Sequence, residues 1–206
     1  MAMADVRIAH GQEAARQSYS DAMDWYRAGA EAGDPKAQFY LGVAFEEGGQ
    51  GILDLAAARG WFKKTAKSGH ALARYKLAVL LQSGKGGPTD LIKARRLYVL
   101  AADQDVVEAK YNLAVMFQDG AGGPANALES AKLFESAARG GVGISFLHLA
   151  VLKTRGPSAD LIEAMKWAYL AKRAKVDGVD GYISALAPLL SAEQDDDARS
   201  RARDWK

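Results

Sequence analysis

The chain of 206 residues contains no cysteine, and this absence excludes several kinds of protein at once. Without thiols there is no disulfide framework, no thiolate zinc or iron–sulfur site and no cysteine nucleophile. An excess of one charge is also missing, since 27 Lys and Arg stand against 25 Asp and Glu. The formal net charge of +2 provides little long-range attraction to nucleic acid or acidic lipid, so we expect no nucleic-acid partner.

Long apolar runs are missing as well. The N-terminal segment lacks the apolar stretch of a secretory signal peptide. No window approaches the roughly 18 apolar residues that a membrane-spanning helix requires. We therefore expect a cytoplasmic protein without membrane insertion, or a periplasmic or secreted one if a leader has been removed.

What the sequence does contain is an internal repeat with a period of 36 residues. Each copy carries a leucine, then a small residue, then a valine, and four such copies in register identify a repeat protein. The three columns are Leu41, Leu77, Leu113 and Leu149; Gly42, Ala78, Ala114 and Ala150; and Val43, Val79, Val115 and Val151. Apolar positions recur at i, i+3, i+4 and i+7, so each unit should consist of two helices.

The repeat predicts an all-α fold in which helix pairs stack on one another. No single unit can bury its own apolar face, so the pairs should form a right-handed α/α superhelix with a C-terminal capping helix. We predict one solenoid domain over residues 1–206. Its parts are an N-terminal helix pair (1–33), four repeats (34–69, 70–105, 106–141 and 142–175) and a C-terminal cap (176–206).

Polar residues at regular positions predict where the helices begin. Asp34 before Pro35 is typical of an N-cap, and Asp105 has capping-box spacing to Glu108. Ser191-x-x-Gln194 predicts a second capping box, at the start of the last helix. Further N-caps are predicted at Asp54, Asp90, Asn126 and Asp160, and tight turns at Gly48, Gly84, Gly120 and Gly156. Additional helices are expected over Val6–Tyr19, Asp21–Ala32 and Tyr182–Leu190.

One copy carries the pattern of a known repeat most completely. It comprises Ala37, Leu41, Gly42, Gly48, Asp54, Ala58, Trp61, Phe62, Ala66 and Gly69. This pattern resembles the Sel1-like repeat (SLR) family, a branch of the tetratricopeptide-like α/α solenoids. The resemblance covers about residues 21 to 175, and it implies a bacterial adaptor whose partner is a protein or peptide. Fold-level resemblance leaves the identity of that partner open.

The resemblance also implies where a partner would bind. In related solenoids the first helix of each pair lines a concave groove, which would here have an apolar floor suited to an extended or helical segment. The implied floor consists of Phe39, Tyr75, Tyr111 and Leu147 together with Val43, Val79, Val115 and Val151, and the implied edge includes Glu46, Gln82 and Gln118. The alternative is that the aromatic residues of this set only pack adjacent repeats against each other.

Enzymatic chemistry is weakly represented in the sequence. The three histidines share no ligand spacing, so we expect no metal site and no cofactor. Lys153-Thr154-Arg155 only approaches a Lys-Thr-Gly motif, and no Ser-x-x-Lys is present. We expect a non-enzymatic scaffold that is a monomer or a weak homo-oligomer. The alternative is a β-lactamase-like or cell-wall-fragment-binding repeat protein.

Overall fold

A computed structural model describes residues 21–48, 53–155 and 159–205. This part of the chain is helical and contains no strand, which confirms the predicted all-α class within it. Helix α1 covers 21–31. The other helices are α2 (Pro35–Glu47), α3 (Leu55–Lys67), α4 (Ala71–Ser83), α5 (Leu91–Ala102), α6 (Val107–Asp119), α7 (Ala127–Arg139), α8 (Ile144–Lys153), α9 (Leu161–Arg173), α10 (Val179–Leu186) and α11 (Ala192–Asp204). The helix predicted over Val6–Tyr19 and the turn at Gly156 lie outside the described residues.

Most predicted N-caps are confirmed. The Asp34 carboxylate accepts hydrogen bonds from the backbone N–H groups of Lys36 and Ala37, at 3.1 and 3.3 Å. At each second helix of a pair, the capping side chain accepts from the N–H three residues further on, at 2.9 to 3.1 Å. These caps are Asp54, Asp90, Asn126 and Asp160. Such a bond satisfies a donor that has no partner within the helix, and it stabilises the helix start.

The predicted capping box at Asp105 is wrong. Val106 is the N-cap of α6 and makes no side-chain cap bond, while Asp105 has a left-handed backbone, φ 61°, and pairs with Lys110 at 2.7 Å. Asp105 occupies the column that holds Gly33, Gly69 and Gly141, all at positive φ. The turn that joins one pair to the next needs a left-handed residue there, and Asp tolerates that conformation better than most side chains.

The chain divides into two compact units, 1–100 and 101–206. In the described part of the first unit, α2 packs on α3 and α3 packs on α4. Gly42 of α2 faces the ring of Phe62 in α3, and a Cβ built on Gly42 would lie only 2.7 Å from Cε1 of that ring. Because Phe62 is fully buried, the absence of a side chain at Gly42 is what allows the two helices to approach so closely.

In the second unit α6, α7, α8 and α9 pack in succession, and α10 and α11 both pack on α9. Buried Ser130 of α7 donates to the carbonyl oxygen of Ala114 in α6 at 2.8 Å, so this polar side chain is satisfied inside the core. The capping box of α11 is confirmed. The Ser191 N–H donates to the side-chain oxygen of Gln194 at 2.9 Å, and the Gln194 N–H donates to Ser191 Oγ at 3.2 Å.

The helix predicted over Tyr182–Leu190 begins and ends earlier in the structure. Helix α10 covers Val179–Leu186 and is followed by a short 3₁₀ turn over Ala187–Leu189. Gly178, at φ 76°, closes the preceding turn and allows the helix to start at the next residue. Pro188 has no N–H to donate to the preceding turn, so the α-helix cannot continue through it.

Candidate functional site

The first helix of each pair carries the aromatic column that the sequence proposes as a groove floor. Phe39 of α2 is only 9% exposed and packs against several other rings. Its centroid is 5.9 Å from that of Phe62 and 4.7 Å from that of His70, which is stacked on it. At this position the packing alternative accounts for the side chain, because little of the ring is left for a partner to contact.

The other members of the column remain partly exposed. Tyr75 of α4 packs against Tyr98 at a centroid distance of 6.1 Å, and Tyr111 of α6 packs against Phe134 at 5.8 Å. Burial raises the pKa of the Tyr111 phenol. Partial burial is shared by the remaining candidates of the proposed floor, Val43, Val79, Val115, Leu147 and Val151.

The proposed edge residues are joined to neighbouring helices by polar contacts. Glu46 of α2 forms an ion pair with Lys76 of α4 at 2.7 Å, and both side chains are partly buried. In the second unit the same register joins Gln118 of α6 to His148 of α8, with Oε1 and Nδ1 3.3 Å apart. Each pair spans 30 residues and connects one first helix to the next.

Gln82 of α4 is also engaged, although it bonds within its own pair rather than to the following one. It accepts a hydrogen bond from the hydroxyl of the buried Tyr98 at 2.7 Å. The three edge residues therefore hold the first helices and their partners in place. What they offer to a ligand is the remaining hydrogen-bonding capacity of their carboxylate and amide groups.

His148 contacts both the proposed floor and the proposed edge in the second unit. Its ring stacks on Phe134 at 4.5 Å with an interplanar angle of 12°, and its Nε2 lies 3.2 Å from the hydroxyl oxygen of Tyr111. Burial lowers the pKa of His148, and the charge of Asp119 opposes that shift only in part. The imidazole is therefore neutral at pH 7 and can donate to Gln118 through Nδ1 while it accepts from Tyr111 through Nε2.

Sequence reasoning assigns the three histidines no common role, and it misses this network around His148. A signal was present in the register, since residues 76 and 148 belong to one column and residues 46 and 118 to another. The role of His70 was also missed. Its Nδ1 accepts the N–H of Ala73 at 3.3 Å and caps α4, and burial lowers its pKa.

The described residues contain no group of three or more His, Asp or Glu side chains that could hold a metal ion. Among the described helices, none has both the length and the apolar character that crossing a bilayer requires.

Helix pairs with N-caps and small residues at a fixed period define an α/α repeat protein of the solenoid type. The model of the Sel1 repeat matches residues 1–34, 35–70, 71–106, 107–142 and 148–175. The chain therefore belongs to the Sel1 repeat family.

Solved structures similar to this one include the following two. A protective antigen of uropathogenic Escherichia coli strains, which displays an SLR fold, aligns with a TM-score of 0.77 and 22% identity over 88% of this chain and 39% of that chain. A Sel1 repeat protein from Oxalobacter formigenes aligns with a TM-score of 0.71 and 17% identity, over 89% of this chain and 82% of that one. At these identities the similarity concerns the fold, and the chain spans about two fifths of the length of the antigen. No curated protein matches the chain.

Proposed function

We propose that this protein is a non-enzymatic scaffold that binds a protein segment along the faces of its first helices. Sel1 repeat proteins are generally scaffolds for protein interaction rather than catalysts. The proposal adds a surface to that general role. The observation that carries it is the recurrence, in each unit, of half-buried apolar side chains beside a polar pair that joins consecutive first helices.

In the first unit the proposed surface consists of Val43, Tyr75 and Val79, bordered by the Glu46–Lys76 ion pair. Phe39 contributes beneath it as a packing residue. Half-buried side chains of this kind are held by their neighbours, so they lose little conformational entropy when a partner covers the exposed remainder.

In the second unit the proposed surface consists of Tyr111, Val115, Leu147 and Val151, bordered by the hydrogen-bonded Gln118 and His148. An apolar centre with a polar border is the usual anatomy of a protein–protein interface. A segment with apolar anchors would cover the tyrosine and valine side chains, and its backbone amides could bond to the side-chain oxygen of Gln118.

Affinity capture with paired variants tests this proposal. The tagged wild-type chain and the double variant Tyr75→Ala/Tyr111→Ala would be exposed to lysate of the native organism, and captured proteins would be identified and then titrated in purified form. We expect the double variant to lose the partner. Control variants are Ile92→Ala and Leu189→Ala, which remove highly exposed apolar side chains elsewhere and should retain it.

Two results would contradict the proposal. One is a folded double variant, with unchanged helical circular dichroism, that binds the purified partner as tightly as wild type does. The other is a double variant that unfolds, since the two rings would then be core residues rather than a binding surface. No feature of the described residues favours the lactam or cell-wall-fragment alternative.

A further inference from the structure

The cationic residues of this nearly neutral chain are concentrated in residues 53–100. This segment contains ten Lys or Arg and two carboxylates, so its formal charge is +8, and the rest of the chain carries −6. The two carboxylates, Asp54 and Asp90, are N-caps whose side chains accept backbone N–H groups. The small net charge of the whole chain is therefore the sum of a strongly cationic segment and an anionic remainder, and a local excess of this kind attracts anionic partners.

The two second helices of this segment, α3 and α5, each carry a stripe of exposed residues. On α3 the stripe consists of Ala56, Gly60, Lys63, Lys64 and Lys67, and the equivalent positions of α5 hold Ile92, Arg96, Val99 and Leu100. Nη2 of Arg59 in α3 donates to the carbonyl oxygen of Pro88 at 2.8 Å, so the loop that leads into α5 lies on α3. Because equivalent positions of stacked repeats face the same way, the two stripes form one surface, which we call the α3–α5 face.

The cations of the α3–α5 face are not neutralised by carboxylates. Lys63, Lys67 and Arg96 are exposed, and none of them forms an ion pair within the described part of the chain. Lys64 is also exposed, and its ammonium group lies over the ring of Trp61 at 4.1 Å. That contact orients the lysine but leaves its charge uncompensated.

The equivalent helix of the second unit, α7, differs because its charges are paired. Lys132 pairs with Glu129 at 2.7 Å. Arg139 pairs with Glu135 at 2.8 Å. Neither α3 nor α5 contains a carboxylate, and the first one after α5 is Asp103. An anion that approaches the α3–α5 face therefore meets cations without a competing carboxylate in either helix.

The uncharged part of the α3–α5 face is aliphatic. Ile92 is 60% exposed, and Val99, two turns further along α5, is exposed as well. The aromatic rings of the two helices are less accessible, since Phe62 and Tyr98 are fully buried and Trp61 is partly buried. Protein interfaces are enriched in aromatic residues and depleted in Lys, and single-stranded nucleic acids stack on exposed rings. Lys and Arg beside large apolar side chains are instead typical of helices that lie on an anionic membrane.

From these observations we propose that the α3–α5 face binds peripherally to a bilayer that contains anionic lipids. Lys63, Lys67 and Arg96 pair with lipid phosphates, and the side chains of Ile92 and Val99 enter the boundary between headgroups and acyl chains. The long stem of each lysine covers apolar surface while its ammonium group reaches the phosphates. This surface lies on second helices, so lipid binding does not depend on the first-helix faces proposed to bind a protein segment.

Sedimentation with lipid vesicles tests the proposal. The full chain is mixed with sucrose-loaded vesicles made of phosphatidylglycerol and phosphatidylcholine in equal parts, or of phosphatidylcholine alone, and the partition coefficient is measured. We expect the wild-type chain to bind the anionic vesicles at least about tenfold more strongly. Raising the salt concentration from about 0.1 to about 0.5 M should weaken this binding by about fivefold or more, because the added ions screen exposed charges.

Two charge variants locate the contact. Lys63→Gln/Arg96→Gln should weaken binding to the anionic vesicles by about tenfold or more. The control, Lys132→Gln/Lys172→Gln, makes the same change in net charge at exposed residues of the second unit and should weaken binding by less than about threefold. Circular dichroism establishes that both variants are folded.

A second matched pair tests the apolar contact. Ile92 and Leu128 occupy the same repeat position and are 60% and 66% exposed. Ile92→Ala should weaken binding to the anionic vesicles by about threefold or more, because less apolar surface then leaves water. Leu128→Ala should leave this binding unchanged, because Leu128 lies on α7, outside the α3–α5 face.

Other anionic partners are outcomes of the same test. A single-stranded oligonucleotide and a polyglutamate peptide are compared with the vesicles at equal concentrations of anionic groups, and tighter binding of either one overturns the proposal. It is also overturned if the wild-type chain binds the two kinds of vesicle equally or binds neither. Equal losses in the two charge variants would show an effect of net charge alone, and an unchanged Ile92→Ala would show that no apolar contact forms; either result contradicts the proposal.

Discussion

Adding a methyl group at Gly42 should destabilise the first unit, because the ring of Phe62 occupies the space that the methyl group needs. A Cβ on Gly42 would lie 2.7 Å from Cε1 and 2.9 Å from Cδ1 of that ring. Favourable carbon–carbon contacts occur at about 3.5 to 4.0 Å, so the ring or the helix has to move. Phe62 is fully buried, and forced repacking of such a core costs about 1–3 kcal/mol.

A second glycine provides the matched control. Gly60 lies within α3, and a Cβ built on it would have no neighbour within 4 Å. Both Gly42→Ala and Gly60→Ala replace a helical glycine and share a gain of about 0.8–1 kcal/mol in helix propensity. Because that gain cancels in the comparison, the clash alone should make Gly42→Ala less stable than Gly60→Ala by about 1–3 kcal/mol.

Urea denaturation followed by circular dichroism at 222 nm measures both variants against wild type. The reasoning is refuted if the two variants have the same free energy of unfolding within about 0.5 kcal/mol. Combining Gly42→Ala with Phe62→Leu adds a test of the cause. The smaller side chain should relieve the clash, so the double variant should be less destabilised than the sum of its single changes.

Three further predictions concern the second unit and the pH dependence. Burial lowers the pKa of His70 and of His148 below 6.5, so the unfolded chain binds protons at a higher pH than the folded chain does. The free energy of unfolding should therefore be at its full value above about pH 6.5 and decrease as the pH falls through the lowered folded-state pKa values. A flat profile in the wild-type chain would contradict this. So would a profile that His148→Gln leaves unchanged. Phe134→Leu should raise the pKa of His148 towards 6.5, because it removes the ring stacked on the imidazole at 4.5 Å. NMR titration measures this pKa, and an unchanged value would show that other groups bury the imidazole. Ser191→Ala should lower the free energy of unfolding, measured by urea denaturation, by about 1 kcal/mol and accelerate hydrogen exchange at the start of α11. Equal exchange rates in the variant and the wild-type chain would mean that the capping box contributes nothing.

The helices and most of their starts could be predicted because the interactions that determine them are local in sequence. A cap such as Asp54 or Asp160 bonds to an N–H only three residues away, so a short motif contains both partners. The period of the leucine column at Leu41 and its counterparts identified the repeat for a similar reason, since equivalent packing requires equivalent residues.

The error at Asp105 shows how a local motif can mislead. Its spacing to Glu108 matches a capping box, but its column also contains Gly33, Gly69 and Gly141, which the connecting turn holds at positive φ. Conformation at that position is set by the turn between pairs, and the side chain cannot act as a cap from there. A comparison of equivalent positions in the repeats, rather than of neighbouring residues in one repeat, would have predicted the left-handed turn residue.

The binding features were harder to predict because they depend on which side chains meet across repeats. The Glu46–Lys76 pair and the contact between Gln118 and His148 each join residues 30 positions apart. Periodicity predicts which face of a helix is apolar, but it does not predict which polar atoms remain without partners.

Methyl NMR on the complex with a captured partner tests most directly whether the first helices form the binding face. With carbon-13 label in valine and leucine methyl groups, the purified partner would be titrated into the full chain. We expect the methyl resonances of Val79, Val115 and Val151 to shift, and those of the exposed Leu53 and Leu189 to stay in place. Shifts confined to Leu53 and Leu189, with the three valines unchanged, would contradict the proposed binding face.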